Sequence, residues 1–323
     1  MKDFSRFPQS LAGVGLGLAL CFLWTQRARA QGAGQYQQTM LVALQEPVIL
    51  DVDIESGQLQ VLYSRDGQVS IFVSMQGSPA VNDLSTPPLV KQSGNHITIR
   101  APRAGREQKY KIPHYRIDVP YRTEVVSRVG TGKQEISGIM GPVRAVTGSG
   151  DTRVSYVSQD VAAMVENGNL DFDVIGGRIQ GRVHRGNISC TRAAQGIDAE
   201  SEQGDITLMA VGPSTAKVKD GSGRIEVSGA RSGFAGSTNA GDIHVKAVVH
   251  DDWQVKSKSG DIRIELPSNS SFELDASTVA GELRLDRDDL EKADAGSRHI
   301  NQIVNGGGKR IDVHTETGQV VIR

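Results

Sequence analysis

Two clusters of titratable residues in the sequence could carry acid–base or metal-dependent chemistry. His250, Asp251 and Asp252 are consecutive, and residues 286–289 hold three carboxylates beside one arginine. Two carboxylates cleave a glycosidic bond when they face each other across a groove, but neither cluster has a partner cluster at a matching place in the chain. Both lie between predicted strands, where exposed turns are expected to carry charge. We therefore predict no catalytic residues, with a carbohydrate-acting enzyme of the polysaccharide-lyase kind as the alternative.

A column of polar residues, each directly after a glycine, is the second candidate site. Stacked carboxylates at turns can bind calcium, whereas Asp and Asn also tolerate turn conformations and bond to the local backbone. The nine-residue glycine-aspartate pattern of calcium-binding repeat rolls is absent from the sequence. We therefore predict a structural column without metal or cofactor. Its members are Asp151, Asn169, Asn187, Asp205, Arg224, Asp242, Asp261 and Glu282.

The third candidate is a set of charged residues predicted to point outward from successive strands. Such a set could recognise a protein or a glycan, although any solvated sheet face also carries mixed charges. Ser189 and Thr207 occupy the same position in two intervening repeats. We call the charged members the recognition strip: Arg153, Asp171, Glu226, His244, Arg263 and Arg284.

Cys190 is the only cysteine beyond the predicted signal segment, so no intramolecular disulfide is expected. It occupies a position at which the neighbouring repeats have Phe172 and Leu208. A cysteine in such a series is typically a small buried hydrophobe rather than a nucleophile. We therefore predict that its thiol is buried and unreactive.

The elements that position these residues follow from a regular spacing of glycines. Successive gaps are 18 or 19 residues and widen to 21 at the last, and Gly318 follows after 37 more. Residues two and four places after each glycine are mostly apolar, as at Ile206 and Leu208. Period-two alternation of this kind buries one face of a strand. The glycines are Gly132, Gly150, Gly168, Gly186, Gly204, Gly223, Gly241, Gly260 and Gly281.

A second strand precedes each glycine, with inward residues such as Ile197 and Ala199 before Gly204. Each repeat thus has two strands and two turns, and it cannot bury its apolar residues alone. Stacking the repeats as coils buries two continuous ladders. The sequence therefore predicts an all-β fold, a β-solenoid of ~18-residue two-strand coils. A run of antiparallel β-hairpin repeats with Gly-Asp turns is the alternative.

The chain is predicted to have three parts. Residues 1–30 combine a basic start, a short apolar run and an Ala-Arg-Ala end, the order of a secretory signal peptide. Residues 31–121 lack the repeat and are expected to form a small N-terminal β cap. Residues 122–323 form the solenoid, with an irregular loop near 286–308.

The composition and the signal segment together predict an exported protein, either periplasmic or at the cell surface. With 36 basic and 37 acidic residues, the charge balance does not favour nucleic acid as a partner. The apolar run of the signal segment is shorter than the roughly 20 residues that cross a bilayer. We therefore expect cleavage after Ala30 and no integral membrane segment in the mature chain.

Several motifs resemble the bacterial putative-adhesin family. They are Ile-Asp-Val-Pro at 117–120, Ile-Ser-Gly-Ile-Met-Gly at 136–141, and the repeated Ser-Gly-Asp or Asn-Gly-Asn turns, and the resemblance extends from about Leu41 to Arg323. It implies an envelope-associated or exported β domain without an established activity, and some members are linked to envelope stress responses. It carries over no functional residue. The expected function is a non-catalytic structural or adhesion-like interaction scaffold, whose partner is an unidentified protein or glycan at the envelope.

Overall fold

The computed structural model describes residues 27–29, 35–41, 47–76, 88–101, 112–212, 216–290 and 296–323. In these ranges the chain forms strands and turns and no helix. They accordingly contain no helix that is long and apolar enough to span a bilayer. Most of the predicted signal segment lies outside the described residues, and its cleavage stays a prediction.

The strands are numbered in chain order. The N-terminal strands are β1 Arg27–Arg29, β2 Gln35–Leu41, β3 Val48–Ser56, β4 Gln58–Tyr63, β5 Gln68–Gln76, β6 Leu89–Ser93, β7 His96–Ala101 and β8 Ile112–Val119. The middle strands are β9 Thr123–Thr131, β10 Gln134–Ser137, β11 Val143–Ser149, β12 Thr152–Val157, β13 Val161–Asn167, β14 Leu170–Ile175, β15 Ile179–Arg185, β16 Ile188–Cys190, β17 Ile197–Gln203, β18 Ile206–Met209, β19 Ala216–Ser222 and β20 Ile225–Ser228. The remaining strands are β21 Phe234–Ala240, β22 Ile243–Lys246, β23 Trp253–Ser259, β24 Ile262–Glu265, β25 Phe272–Thr278, β26 Leu283–Leu285, β27 His299–Val304, β28 Lys309–Thr317 and β29 Val320–Ile322.

The strands form two stacked sheets, here called sheet A and sheet B. Sheet A has the order β1-β2-β5-β8-β4-β10-β12-β14-β16-β18-β20-β22-β24-β29-β26. Sheet B has the order β27-β25-β28-β23-β21-β19-β17-β15-β13-β11-β9-β3-β7-β6. From β9 to β24 the chain alternates between the sheets, so each coil contributes one strand to each.

Strands that follow successive glycines pair in parallel, which confirms the β-solenoid and shows that the hairpin alternative is wrong. Ile206 lies in register between Ile188 and Ile225, and Ile243 lies between Ile225 and Ile262. None of these five side chains is more than 1% exposed. Burying each one contributes about 1.5–3 kcal/mol. Most of the stability therefore comes from contacts between coils rather than within a coil.

The glycine spacing reflects a corner at which consecutive backbones touch. Gly204 has a φ of +140°, and a Cβ on it would lie 2.2 Å from the carbonyl oxygen of Gly186. Gly168 repeats the contact, with 2.2 Å to the oxygen of Gly150. A side chain fits neither this space nor this backbone conformation, so every coil needs a glycine at the corner.

Parallel stacking begins earlier in the chain than the regular glycine spacing indicates. Strands β3 and β4, within the segment 31–121 expected to form a cap, pair in parallel with β9 and β10 and so form a further coil. Strands β7 and β8 pair in parallel with the opposite edges of β3 and β4. Gly57 occupies the same corner, because a Cβ on Gly132 would lie 1.7 Å from its oxygen. The long connections after β4 remove the constant spacing from the sequence.

The coil that ends the chain is inserted one place from the end of the stack. Strand β28 lies between β23 and β25, and β29 lies between β24 and β26. Val320 is consequently in register with both Ile262 and Leu283. Chain order and spatial order therefore differ here, because the coil of β25 and β26 leaves a space that the later segment fills.

In the described part of the chain, antiparallel strands cover three of the four outer edges of the two sheets, and the parallel strand β26 forms the fourth. At one end β5 pairs with β8 and β6 pairs with β7, and at the other β27 pairs with β25. The segment 286–308, predicted to be an irregular loop, thus contains a strand. Open edges of parallel sheets offer unpaired backbone groups to other chains. Reversing the strand direction at the outermost positions ends the repeating pattern there.

One inward column near the glycine corner carries hydroxyl side chains that bridge adjacent coils. Ser201 Oγ donates a hydrogen bond to the Gly186 carbonyl at 3.3 Å. Asp220 follows Ser201 in register and is 1% exposed. Among the described residues, no donor meets hydrogen-bond geometry with either of its carboxylate oxygens. Burial raises the pKa of Asp220 to about 6, despite the opposing effect of the Gly221 N–H. An ionised Asp220 therefore destabilises the core.

Replacing Asp220 by Thr should raise the free energy of unfolding by about 2 kcal/mol at pH 7.5. The raised pKa means that the stability associated with the protonated Asp220 is fully present below the ordinary value of 3.8 and is lost as the pH rises through about 6. The gain from Asp220→Thr should consequently grow between pH 4 and pH 7. Urea titrations at several pH values measure it, with the exposed Asp198→Thr as the control. A gain independent of pH would contradict the explanation.

Candidate functional site

The recognition strip lies on the outer face of sheet A and is divided into two parts. In the first part, Glu226, His244 and Arg263 follow one another in register on β20, β22 and β24. Arg284 does not follow Arg263, because β29 places Val321 between them. One apolar residue therefore interrupts the predicted strip at this end.

Arg153 and Asp171 form the other part, in register on β12 and β14. Partial burial raises the pKa of the Asp171 carboxyl, and the charge of Arg153 acts in the opposite direction. Ser189 and Thr207 fill the next two places of the column. Two neutral coils thus separate this pair from Glu226, and the strip does not form one continuous charged surface.

Glu265, at the end of β24, connects the strip to the neighbouring corner of the coil. Its carboxylate pairs with Arg323, lies 2.9 Å from His244 Nε2 and lies 3.6 Å from Lys246 Nζ. The hydrogen bond from Arg323 is the main reason that its pKa falls to about 2. A carboxylate held ionised in this way cannot act as a general acid near neutral pH. It holds the side chains of Arg323, His244 and Lys246 in place.

Two depressions flank Glu265. The smaller, of about 280 Å³, is lined in part by Glu226, His244 and Arg263. The larger, of about 760 Å³, combines cationic and apolar side chains at the corner after sheet A, among them Arg231, Lys246, His250, Leu266 and Pro267. Both depressions carry charged side chains of either sign, and the larger one is lined mainly by apolar surface.

The His250 cluster is divided between this depression and the framework of the fold. His250 lines the larger depression. Asp251 pairs with Lys309 at 3.2 Å, and the Asp252 carboxylate accepts a hydrogen bond from the Arg310 N–H at 2.9 Å. Both carboxylates therefore fix the inserted strand β28 against its neighbouring coil.

Two carboxylates of residues 286–289 pair with arginines close by in the chain. Asp286 pairs with Arg284 at 2.8 Å, and Asp289 pairs with Arg287 at 2.6 Å. The Arg287 side chain is only 6% exposed, and it also donates to the Leu266 carbonyl. The pair joins the segment after β26 to the loop after β24.

The polar column at the glycine corner bonds from one coil to the next. The Asn169 side-chain oxygen accepts from the Asn187 N–H at 3.0 Å, and the Asn187 oxygen accepts from the Asp205 N–H at 2.8 Å. Asp205 continues the series to the Arg224 N–H at 2.8 Å. These oxygens satisfy backbone donors that the turn would otherwise leave without a protein partner. The column thus stabilises the stacking, whereas a local bond within each turn was expected.

Cys190 lies inside the core, in register between Phe172 and Leu208. It is 1% exposed, and burial raises the pKa of its thiol to about 12. The thiolate is the reactive form of cysteine. Cys190 therefore has the packing role predicted from the sequence.

The alternation pattern does not reveal a group of exposed apolar side chains near the N-terminal end of sheet A. Tyr63, Tyr121, Met140 and Tyr156 are between 41% and 58% exposed. The rings of Tyr63 and Tyr121 meet edge to face, with centroids 6.2 Å apart. Tyr156 has a φ of +54°, a strained conformation for an aromatic residue. The break in alternation at Tyr156 is the only sequence signal for this group.

Several solved structures match this chain with weak overall similarity, and three of them are described here. A putative cell adhesion protein from Clostridium sporogenes has 9% identity and a TM-score of 0.25, covering 89% of this chain and 98% of its own. A putative adhesin from Bacteroides fragilis has 13% identity and a TM-score of 0.34, with coverages of 90% and 97%. One from Parabacteroides distasonis has 11% identity and a TM-score of 0.38, with coverages of 90% and 98%.

No curated protein shows a significant sequence match. The family model described as Toastrack DUF4097 matches residues 50–323, which is most of the chain. The match begins at the first stacked coil and includes the inserted strands β28 and β29. It confirms the family resemblance inferred from the glycine-turn motifs. The chain belongs to the Toastrack DUF4097 family.

Proposed function

We propose that the protein is a non-catalytic interaction scaffold of the bacterial envelope or surface, which acts by binding a protein or glycan. The observation that carries the proposal is the contacts of four carboxylates in the candidate sites, because each of these carboxylates stabilises the fold. Asp251 and Asp252 bond to β28, Asp289 bonds to Arg287 and Asn305, and Glu265 stays ionised beside Arg323 and Lys246. The stacked coils hold exposed side chains at fixed spacings, as a contact surface requires.

The part of the recognition strip around His244 is the proposed contact surface on sheet A. Glu226, His244 and Arg263 are in register across three adjacent coils, and they line one depression. Their positions are set by buried neighbours such as Ile243 and Ile262, which are 0% exposed. A partner would therefore meet a preformed arrangement of charge, which lowers the entropy cost of binding.

Export through a cleaved signal peptide is part of the proposal. The residues that support it are the basic start, the apolar run and Ala28-Arg29-Ala30. The mature protein should begin at Gln31. Mass spectrometry of the N-terminal peptide from the exported fraction tests this, and a protein that retains Met1 would contradict it.

The contact function is tested by retention on envelope fractions from the bacterium that produces the protein. The natural protein should be retained, and the triple variant Glu226→Ser, His244→Ser, Arg263→Ser should be retained at least fivefold less. The matched control replaces Lys217, Lys256 and Lys258 by Ser on the exposed outer face of sheet B. Equal retention of both triple variants would show that the strip is not the contact surface. Absence of retention for the natural protein would overturn the scaffold proposal.

A further inference from the structure

The outer face of sheet B carries a groove of about 830 Å³ that crosses strands β3, β9, β11, β13 and β15. Its floor is formed by small or flexible apolar side chains, namely Val126, Val146, Ala162 and Met164. These residues are only partly buried and stand at outward positions of their strands. Outward positions on a solvated sheet are normally polar. The apolar floor therefore marks this part of the face as different from the rest.

Arginines surround the floor. The lining contains five arginines against three aspartates, whereas the whole chain has a net charge of -1. Asp51 pairs with Arg100 at 2.7 Å, and Asp160 accepts a hydrogen bond from the Arg178 N–H at 2.8 Å. Arg100 and Asp51 therefore offset each other, and the lining as a whole keeps a net charge of +2. A concave surface with an excess of one charge attracts ligands of the opposite charge.

Two of these arginines stand at opposite ends of one column. Arg128 is in register with Val146, Val146 with Met164, and Met164 with Arg182. Three coil steps of ~4.8 Å place the two guanidinium-bearing residues about 14 Å apart along the stack. Arg144 lies on β11 two residues before Val146, so it belongs to the neighbouring column on the same face of the sheet. Arg182 lies 3.6 Å from Glu200, an exposed ion pair that a stronger partner can replace.

The chemistry of the groove identifies the class of ligand. Strands β9, β11, β13 and β15 are each paired on both edges, so a peptide cannot add to them as a further strand. Recognition must come from side chains. Guanidinium groups bind carboxylates through two parallel hydrogen bonds. The apolar floor suits the carbon-bearing face of a sugar ring, and charge spaced along the groove suits a chain with a carboxylate on every sugar.

We propose that this groove binds a uronic-acid glycan chain, with Arg128, Arg144 and Arg182 on the carboxylates and Val146 and Met164 beneath the sugar rings. The proposal rests on the proposed function as a contact protein, for which it names one ligand class. It places the ligand on the face of the solenoid opposite the recognition strip. The two surfaces can therefore be tested separately.

The experiment measures binding of galacturonate oligomers to the purified protein by titration calorimetry in low-salt buffer. The double variant Arg128→Gln, Arg182→Gln should bind at least tenfold more weakly than the natural protein. Raising the salt should weaken binding of the natural protein, because exposed charges are screened. The matched control, Lys256→Gln with Lys258→Gln, removes two exposed cations from the same face outside the groove and should bind as the natural protein does. Unchanged melting temperatures show that all variants are folded.

Three outcomes overturn the inference. They are no binding of the oligomer by the natural protein, equal weakening by both double variants, and equal binding of neutral dextran oligomers or polyglutamate. If the natural protein is retained on envelope fractions but does not bind the oligomer, this inference is wrong and the proposed function is still supported. Oligomer binding without envelope retention supports the groove and contradicts the proposed function. Shortening of the bound oligomer during the titration supports the site and shows that the protein is an enzyme.

Discussion

Replacing Ile225 by Asp should lower the free energy of unfolding by about 5 kcal/mol. Ile225 is 0% exposed and lies in register between Ile206 and Ile243, so the new carboxylate would be surrounded by apolar side chains of three coils. The substitution both removes apolar packing and places a charge where no cation can reach it. Urea titration followed by circular dichroism measures the change.

The adjacent residue provides the control for this prediction. Glu226 follows Ile225 on β20 and is exposed on the outer face. Glu226→Asp should change the free energy of unfolding by about 0.5 kcal/mol or less. Equal losses of unfolding free energy in the two variants would mean that the inward and outward positions on β20 are wrongly assigned. The ladder of buried residues would then be wrong as well.

Replacing Gly204 by Ala should cost about 4 kcal/mol, although it adds only a methyl group. The φ of +140° is a conformation that only glycine adopts readily, and the new Cβ would lie 2.2 Å from the Gly186 carbonyl oxygen. Neither backbone can move without breaking the hydrogen bond from the Gly186 N–H to the Gln203 carbonyl at 2.8 Å. The substitution should therefore weaken the stacking of both adjacent coils.

Gly94 separates the effect of the contact from that of the backbone conformation. It has a φ of +58°, and nothing lies within 4 Å of a Cβ added to it. Gly94→Ala should therefore cost only about 1–2 kcal/mol, the price of a left-handed conformation in an L residue. A loss at Gly204 no greater than the loss at Gly94 in the same denaturation assay would contradict a steric role for the corner glycines.

The repeating part of the fold could be predicted from the sequence because its rules act over one coil at a time. A glycine is needed wherever two backbones meet at the corner, as at Gly204, and alternation decides which side chains face inward, as at Ile206. Both signals recur every 18 or 19 residues, so they can be recognised in the sequence without knowledge of distant contacts. The burial of Cys190 followed from the same register.

The sites depend on contacts that the repeat does not encode. Val321 separates Arg263 from Arg284 only because β29 is inserted between two earlier coils. The groove on sheet B needs five strands to bring its apolar floor and its arginines together. One of these strands is β3, which carries Asp51 and lies far earlier in the chain. No local pattern fixes these neighbours.

The sequence by itself determined the all-β class, the length of the coil, the corner glycines and the inward ladder of the middle coils. The tertiary structure decided the order of the terminal coils, the antiparallel strands at three of the four sheet edges and the burial of Asp220. The physical reason is that pairing between successive coils is set by short-range sterics at the corner and by the alternation within each repeat. Pairing at the ends is set instead by which sheet edges remain open once the middle has formed, and many segments can compete for an open edge.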